Sequence, residues 1–246
     1  MPERQRVTTR LARGVLGAVA LAALVLGAIV GLLVGAPVPL ALVGLAVGAA
    51  FAVWLDRTAT VRVLRSLDTR PLTEADAPRV HNLVEGLSLT SGVPVPELEV
   101  VDDTTPDAAV LGRNPRDAVI VLTSGALTAF DRIELEGVVA HLLVRIRDHD
   151  IAPTTLAAAF GPLSERLGER LSGPDRVTRA DLEACQITRY PPGLIAALEK
   201  VAAAASGMTH ERAPVPAHLW FAPSGGERAS ASHPPLHERI ALLREL

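Results

Sequence analysis

A histidine and an arginine four residues apart sit at the centre of VVAHLLVRIRDHD, residues 138–150. In a helix that spacing stacks His141 and Arg145 on one face. Two histidines so placed, with a glutamate directly after the first, would hold a zinc ion and supply the base for its bound water. Here the residue after the histidine is Leu142, and the second histidine is Arg145. A guanidinium has no lone pair to donate, and its fixed charge repels a cation. Asp148 lies seven residues on, about 10 Å along the axis, too far to share one ion with bonds of about 2 Å. His149 points away from the His141 face. By residue type alone, His141 reads as a core histidine with its hydrogen bonds met.

Other chemistry-bearing residues are more scattered. His233 and His237 are four apart in ASHPPLHERI, but two prolines intervene. His233 therefore precedes the helix start, and the pair does not share a face. Ser124 in LTSGAL and the single cysteine, Cys185, have no base beside them in the sequence that would make either a nucleophile. One cysteine cannot form an internal disulfide, which fits a reducing compartment.

The elements that must position these residues follow from the patterning. Val80, Leu83, Val84 and Leu87 recur at helical spacing, and Pro94 and Pro96 end that helix. ELEVVDD and DAVIVLTSG are β-branched runs bounded by turn residues and read as strands. Between them, TTPDAAVLGRNPRD accommodates a short strand and an Asn-Pro turn. Helices are expected over 132–150, 153–171, 175–189 and 191–206. A last one starts near Pro235, with His237, Ile240 and Leu243 at helical spacing. The stretch SGGERASAS, 224–232, has the composition of a flexible loop. A small early sheet followed by helices is an α+β order.

The first third of the 246 residues is of another kind. Residues 14–35 carry no charge, and as a helix would run about 33 Å, enough to cross a bilayer core. Residues 38–55, also uncharged, would run about 27 Å. Two such runs around Ala36-Pro37 predict a transmembrane hairpin rather than a cleaved signal peptide. Residues 1–57 then form the anchor and residues 58–246 the soluble domain. Arg4, Arg6, Arg10 and Arg13 precede the first span, and Arg57, Arg62 and Arg65 follow the second. With no positive charge in the turn, both termini and the soluble domain are expected on the cytoplasmic side of the cell membrane. Gly27/Gly31, Gly31/Gly35 and Gly44/Gly48 offer small faces for close approach, either within the hairpin or between copies. A net charge of −3 gives no electrostatic basis for a nucleic-acid partner.

From about residue 71 onward the chain resembles the HtpX-type membrane zinc metalloproteases, gluzincins related to the CAAX prenyl proteases. The resemblance runs in order through SGVPVPELEVVDD, GRNPRDAVIVLTSGAL, ELEGVVAH, RADLEACQITRYPPGLIAALEK and SHPPLHERIALLREL. It implies a mainly helical gluzincin-like peptidase fold with a small sheet, and a setting in membrane protein quality control. It also implies a zinc helix at 141–145 in which His141 keeps the first ligand position. Leu142 stands where the general base belongs and Arg145 at the second ligand. The third ligand lies four residues before the aspartate of Ala180-Asp181, which is Val177. With these degenerate positions no zinc hydrolysis and no bound cofactor are expected. An active enzyme would need replacement ligands such as His149, His233, Asp148 or Asp150. The family's later spans have no counterpart, since IAPTTLAAAFGP is too short to cross a membrane.

Further expectations concern what fills the gap. A buried Arg145 calls for a carboxylate, and Asp181 is the first candidate, since the Ala-Asp segment packs near the zinc helix in the family. An Arg145–Asp181 pair would then replace the metal as the tie between two helices. The alternative has Arg145 reaching solvent along its aliphatic stem. PDAAVLGR matches the family's substrate-pairing sheet edge at Asp107, Ala108, Ala109 and Val110, with Asp107-Ala108-Ala109 where Asn-Ala-Phe is usual. Strand addition needs only backbone groups and can outlive catalysis. The expected role is that of a membrane-anchored pseudoprotease engaging a protein partner. A hairpin-based assembly protein with a scaffold domain is the competing reading.

Overall fold

A computed structural model describes residues 2–160, 166–168, 175–207, 217–222 and 233–246. The expected loop at 224–232 lies outside them, as does most of 161–171. Helix α1 (Pro2–Val34) turns back into α2 (Pro37–Leu67). Gly35 makes the turn at φ 80°, a left-handed conformation that suits glycine. Pro37 occupies the first turn of α2, where its missing N–H costs nothing.

The hairpin closes on its glycines. A Cβ at Gly27 would lie 2.3 Å from the Leu40 carbonyl oxygen, and one at Gly44 would lie 2.3 Å from that of Ala23. Gly31 and Gly48 are similarly covered, by Pro37 and Ala23. Gly27, Gly31, Gly44 and Gly48 thus pack between the two limbs, while Gly35 at the turn faces open space. Leu21, Leu26, Ile29 and Leu33 point outward. Both helices are long and apolar enough to cross a membrane, and little of either is buried in protein. Such surfaces associate with a lipid bilayer. Gly27→Val or Gly44→Val is expected to splay the limbs. Faster amide exchange along both helices in detergent, with no change in a Leu21→Val control, would register it.

The helix that holds the second apolar run does not stop with that run near residue 55. Helix α2 continues unbroken to Leu67, where Asp68 closes it in a left-handed conformation (φ 53°). Val63 and Leu67 pack into a core with Ala109, Leu111, Val119 and Val121. Near the end of the apolar stretch Arg62 lies over the Trp54 ring at 5.1 Å, a contact suited to a membrane–water boundary.

The sheet has four strands in the order β1-β2-β4-β3. These are β1 (Arg70–Pro71), β2 (Glu97–Val101), β3 (Ala108–Leu111) and β4 (Val119–Thr123). β2 and β4 are parallel, and β1 and β3 pair antiparallel at the two edges. The expected strands are present, with β1 added, a two-residue element too short to carry a pattern. All of β4 is buried because both faces of the sheet are covered. Ala108, Val110, Ile120 and Leu122 face the main helical core, and Ala109, Leu111, Val119 and Val121 face the end of α2. The Asn-Pro turn is a 3-10 turn, Pro115–Asp117, closed by a capping box between Asn114 and Asp117.

The remaining helices are α3 (Pro78–Ser91), α4 (Ser124–Ala129), α5 (Arg132–Arg147), α6 (Ile151–Ala158), α7 (Asp175–Thr188), α8 (Pro191–Gly207) and α9 (Leu236–Leu243). The fold is α+β, a helical hairpin followed by a mainly helical domain with a small sheet. Helix α5 is its centre, packed by α3, α7 and α8 and by β3. Its start is fixed by Asp131, which accepts from Ile133 and Glu134 N–H while Glu134 returns the bond to Asp131 N–H. Its end comes at Arg147 rather than 150, because His149 turns left-handed at φ 60° and Asp150 N–H bonds back to the Arg145 carbonyl. The helix expected over 153–171 begins at Ile151 instead, and its regular part ends at Ala158. In α9 the buried face is Leu236, Arg239 and Leu243, not the stripe through His237.

Candidate functional site

Helix α5 is apolar on nearly every side, which is why it lies in the middle of the domain. It carries His141 and Arg145 into the interior, both fully buried. Helix α7 crosses it and presents Val177 and Asp181, four residues apart on its buried face. Helix α9 adds Arg239. These helices bring together His141, Asp181 and Arg239.

Asp181 is the hub. Its Oδ1 accepts from His141 Nδ1 at 2.8 Å and from Arg239 Nη2 at 2.8 Å, and its Oδ2 accepts from Arg239 Nε at 2.7 Å. Burial raises the Asp181 carboxyl, but Arg239 and His141 outweigh it and hold it below the usual carboxylate range. Burial brings His141 down to about 4 against the pull of Asp181, so the imidazole is neutral. A carboxylate only accepts, so the His141 proton sits on Nδ1 and Nε2 keeps a lone pair. That Nε2 is buried and has no hydrogen-bond partner.

The expected Arg145–Asp181 pair does not form among the described residues. Arg239 takes the carboxylate first, and Arg145 turns to backbone: Nη1 donates to the Leu219 carbonyl at 3.1 Å and Nη2 to that of His218 at 3.0 Å. Nor does Arg145 reach solvent, being 0% exposed. Burial lowers it to about 9, with Arg176 adding to the fall and Asp150 opposing, which leaves it a cation at neutral pH. The buried charges balance in kind. Arg145, Arg176 and Arg239 are set against Asp107, Asp150 and Asp181, and Glu134 is paired with Lys200 at 2.6 Å. The fully buried tie between α5 and α7 is His141–Asp181, and Arg147 adds a partly buried pair with Glu183.

The metal position implied by the sequence offers His141 Nε2 and nothing to match it. Leu142 and Val177 are buried hydrocarbon. Among the described residues no three His, Cys, Asp or Glu side chains are grouped to hold an ion. The candidate replacement ligands are engaged elsewhere: Asp148 and Asp150 with Arg179 at 2.7 and 3.3 Å, and His233 Nε2 with the Trp220 carbonyl at 3.0 Å. His149 serves the turn after α5. His233 is buried and His237 exposed, in line with two residues that do not share a face. These residues do not fit a catalytic zinc, which needs three ligands and an open position. Ser124 Oγ donates to Asp102 at 3.0 Å, with no histidine in that exchange. Cys185 is buried, and burial pushes its thiol up to about 11, away from reactivity.

The edge expected to pair with peptides is already covered. Asp107, Ala108, Ala109 and Val110 are each 0% exposed. Ala109 bridges antiparallel to Trp220, Phe221 N–H donates to the Ala108 carbonyl at 2.7 Å, and Ala222 N–H donates to Asp107 Oδ1 at 3.1 Å. Phe221 also sets its ring edge-on against His141, with centroids 5.0 Å apart. Sequence reasoning missed this segment, 217–222, and missed Arg239. One signal for the segment was available: Trp220 and Phe221 are adjacent in a chain with few aromatics.

No protein-family model matches the chain. Among curated proteins it is similar to the "Protease HtpX homolog" of Acidiphilium cryptum, 32% identical over 255 residues covering 86% of this chain and 88% of the relative. The protein of that name from Dictyoglomus thermophilum is 31% identical over 228 residues, 74% of each chain. That from Tropheryma whipplei strain Twist is 32% identical over 220 residues, 72% of this chain and 75% of the relative. With this identity running through most of both partners, the chain belongs to the HtpX-type protease family.

Proposed function

We propose that this chain is a membrane-anchored, catalytically silent HtpX-type protein that binds or regulates protein partners at the cytoplasmic face of the membrane. One observation carries the reading. Arg145, at the second ligand position, is fully buried and committed to two carbonyl oxygens. A cation fixed there opposes a second cation, and Leu142 cannot take a proton from water. The arginines on both flanks of the hairpin support the cytoplasmic placement. Glycine faces spent inside the hairpin argue against assembly through the anchor as the main role. The alternative, a zinc peptidase with substitute ligands, has the lone pair on His141 Nε2 in its favour.

Metal content separates the two. Detergent-purified protein equilibrated with zinc and washed is expected to retain almost none by mass spectrometry. The triple variant Leu142→Glu, Arg145→His, Val177→Glu restores the ligand types and is expected to gain zinc. Zinc near one per chain in the unmodified protein would overturn the silent reading.

A further inference from the structure

Edge strand β3 has β4 on one side and, on the other, the chain's own segment 217–222. The segment is a 3-10 turn, Ala217–Leu219, that runs into a single antiparallel bridge at Trp220, and three buried side chains hold its backbone. Arg145 of α5 takes the carbonyls of His218 and Leu219, His233 takes that of Trp220, and Arg239 of α9 takes that of Phe221 at 2.8 Å. Four successive carbonyls are therefore each met by a buried side-chain donor. Main-chain bonds of this kind do not depend on sequence. The side chains are seated as well. Leu219 and Trp220 enter the core shared with α2, and the Phe221 ring lies under the Arg239 guanidinium at 4.8 Å. Ala109, small where the family usually has an aromatic, lies directly across from Trp220 and is part of the same cluster.

We propose that residues 217–222 are an intramolecular ligand: a turn and bridge of the chain itself that cover the β3 edge in the resting protein, with Arg145 as the latch. An outside polypeptide reaches that edge only by displacing this segment, and the class that fits is a short apolar segment with an aromatic pair. The inference rests on the partner-binding reading only in treating that edge as a peptide site. Zinc content tests that reading independently.

The probe is a fluorescein-labelled peptide, AHLWFA, titrated against the full chain in detergent and followed by anisotropy. Phe221→Pro removes the N–H that bonds to Ala108 and the ring that seats the segment. If the segment is seated nine-tenths of the time or more, freeing it improves apparent affinity about tenfold or more. Adding Arg145→Leu to that variant is expected to abolish the gain. A folded Phe221→Pro chain, judged by circular dichroism and melting, that binds no better than the unmodified protein would overturn the proposal.

Should Phe221→Pro fail to fold, a lockable pair decides the matter. Ala109 and Trp220 are antiparallel partners, with Cα atoms about 4.5–5.5 Å apart, within disulfide reach. In the double variant Ala109→Cys, Trp220→Cys, the oxidised chain is expected to refuse the peptide and the reduced chain to bind it. Equal binding in the two redox states would sink the idea.

Discussion

Replacing Asp181 with asparagine is expected to lower the thermal midpoint by about 10 °C, measured on detergent-purified protein at neutral pH. The carboxylate accepts three hydrogen bonds inside the domain, two from Arg239 and one from His141. Asparagine keeps one acceptor oxygen and turns an NH2 toward donors. It also removes the charge that balances Arg239, which is 2% exposed. Removing one partner of such a buried pair costs about 3–5 kcal/mol, and in a protein of this size each kcal/mol moves the midpoint by about 2–4 °C. The double variant Asp181→Leu, Arg239→Met takes away both charges and is expected to recover part of the loss. A single Asp181→Asn variant melting within a degree or two of the unmodified protein would show that the hub contributes little.

The second large effect is acid lability. His218 and His233 are buried among Arg145, Arg176 and, for His233, Arg239. Burial lowers His218 to about 4 and His233 well below its ordinary value of 6.5, and the arginines add to both shifts. The unfolded chain takes up these protons near 6.5, while the folded chain resists that of His218 until about 4 and that of His233 until well below 6.5. In that window the unfolded state binds more protons, so stability falls as pH drops. His218 alone accounts for about 3 kcal/mol, at about 1.4 kcal/mol per pKa unit. Asp181, with its carboxyl held low, yields only at still lower pH. His218→Gln and His233→Gln keep an N–H donor for the Thr154 and Trp220 carbonyls without titrating. Each is expected to flatten the melting-midpoint-against-pH curve between 6.5 and 4; an unchanged slope in both would refute the assignment.

Legibility in the sequence followed pattern length. The hairpin, β2, β4 and the run of helices are repeated enough to be read from periodicity. β1 has two residues, and α4 is a single short stretch after a strand, so neither carries a period. His141, Leu142, Arg145 and Val177 were singled out through the family resemblance, which assigns them spaced positions, and not by any periodicity of their own. Their partners were not. The Arg145–Asp181 expectation joined the right helices through the wrong residue, His141 being the partner on α5, and it passed over Arg239, since one arginine among the charges of HERIALLREL looks like part of a solvated face. Arg239 in fact shares a stripe with Leu236 and Leu243, three residues after one and four before the other. The covering of β3 by 217–222 joins segments more than a hundred residues apart. No local signal encodes that, because the carbonyls doing the bonding belong to every residue type.

The unbroken α2 acts as a ruler. Its apolar stretch ends at Leu55, and Leu67 lies about 18 Å further along the axis. Val63 and Leu67 are fixed in the core beneath the sheet. Asp56, the first charge after that stretch, meets Arg113 in the turn after β3 at 3.4 Å. With no joint in the helix to absorb rotation, the height and attitude of the β3 edge above the headgroups are set by helix pitch. On the proposed partner-binding reading, a partner segment has to be presented within a thin layer at the bilayer surface. Polypeptides tethered to the same membrane are concentrated in that layer, and freely diffusing ones are not.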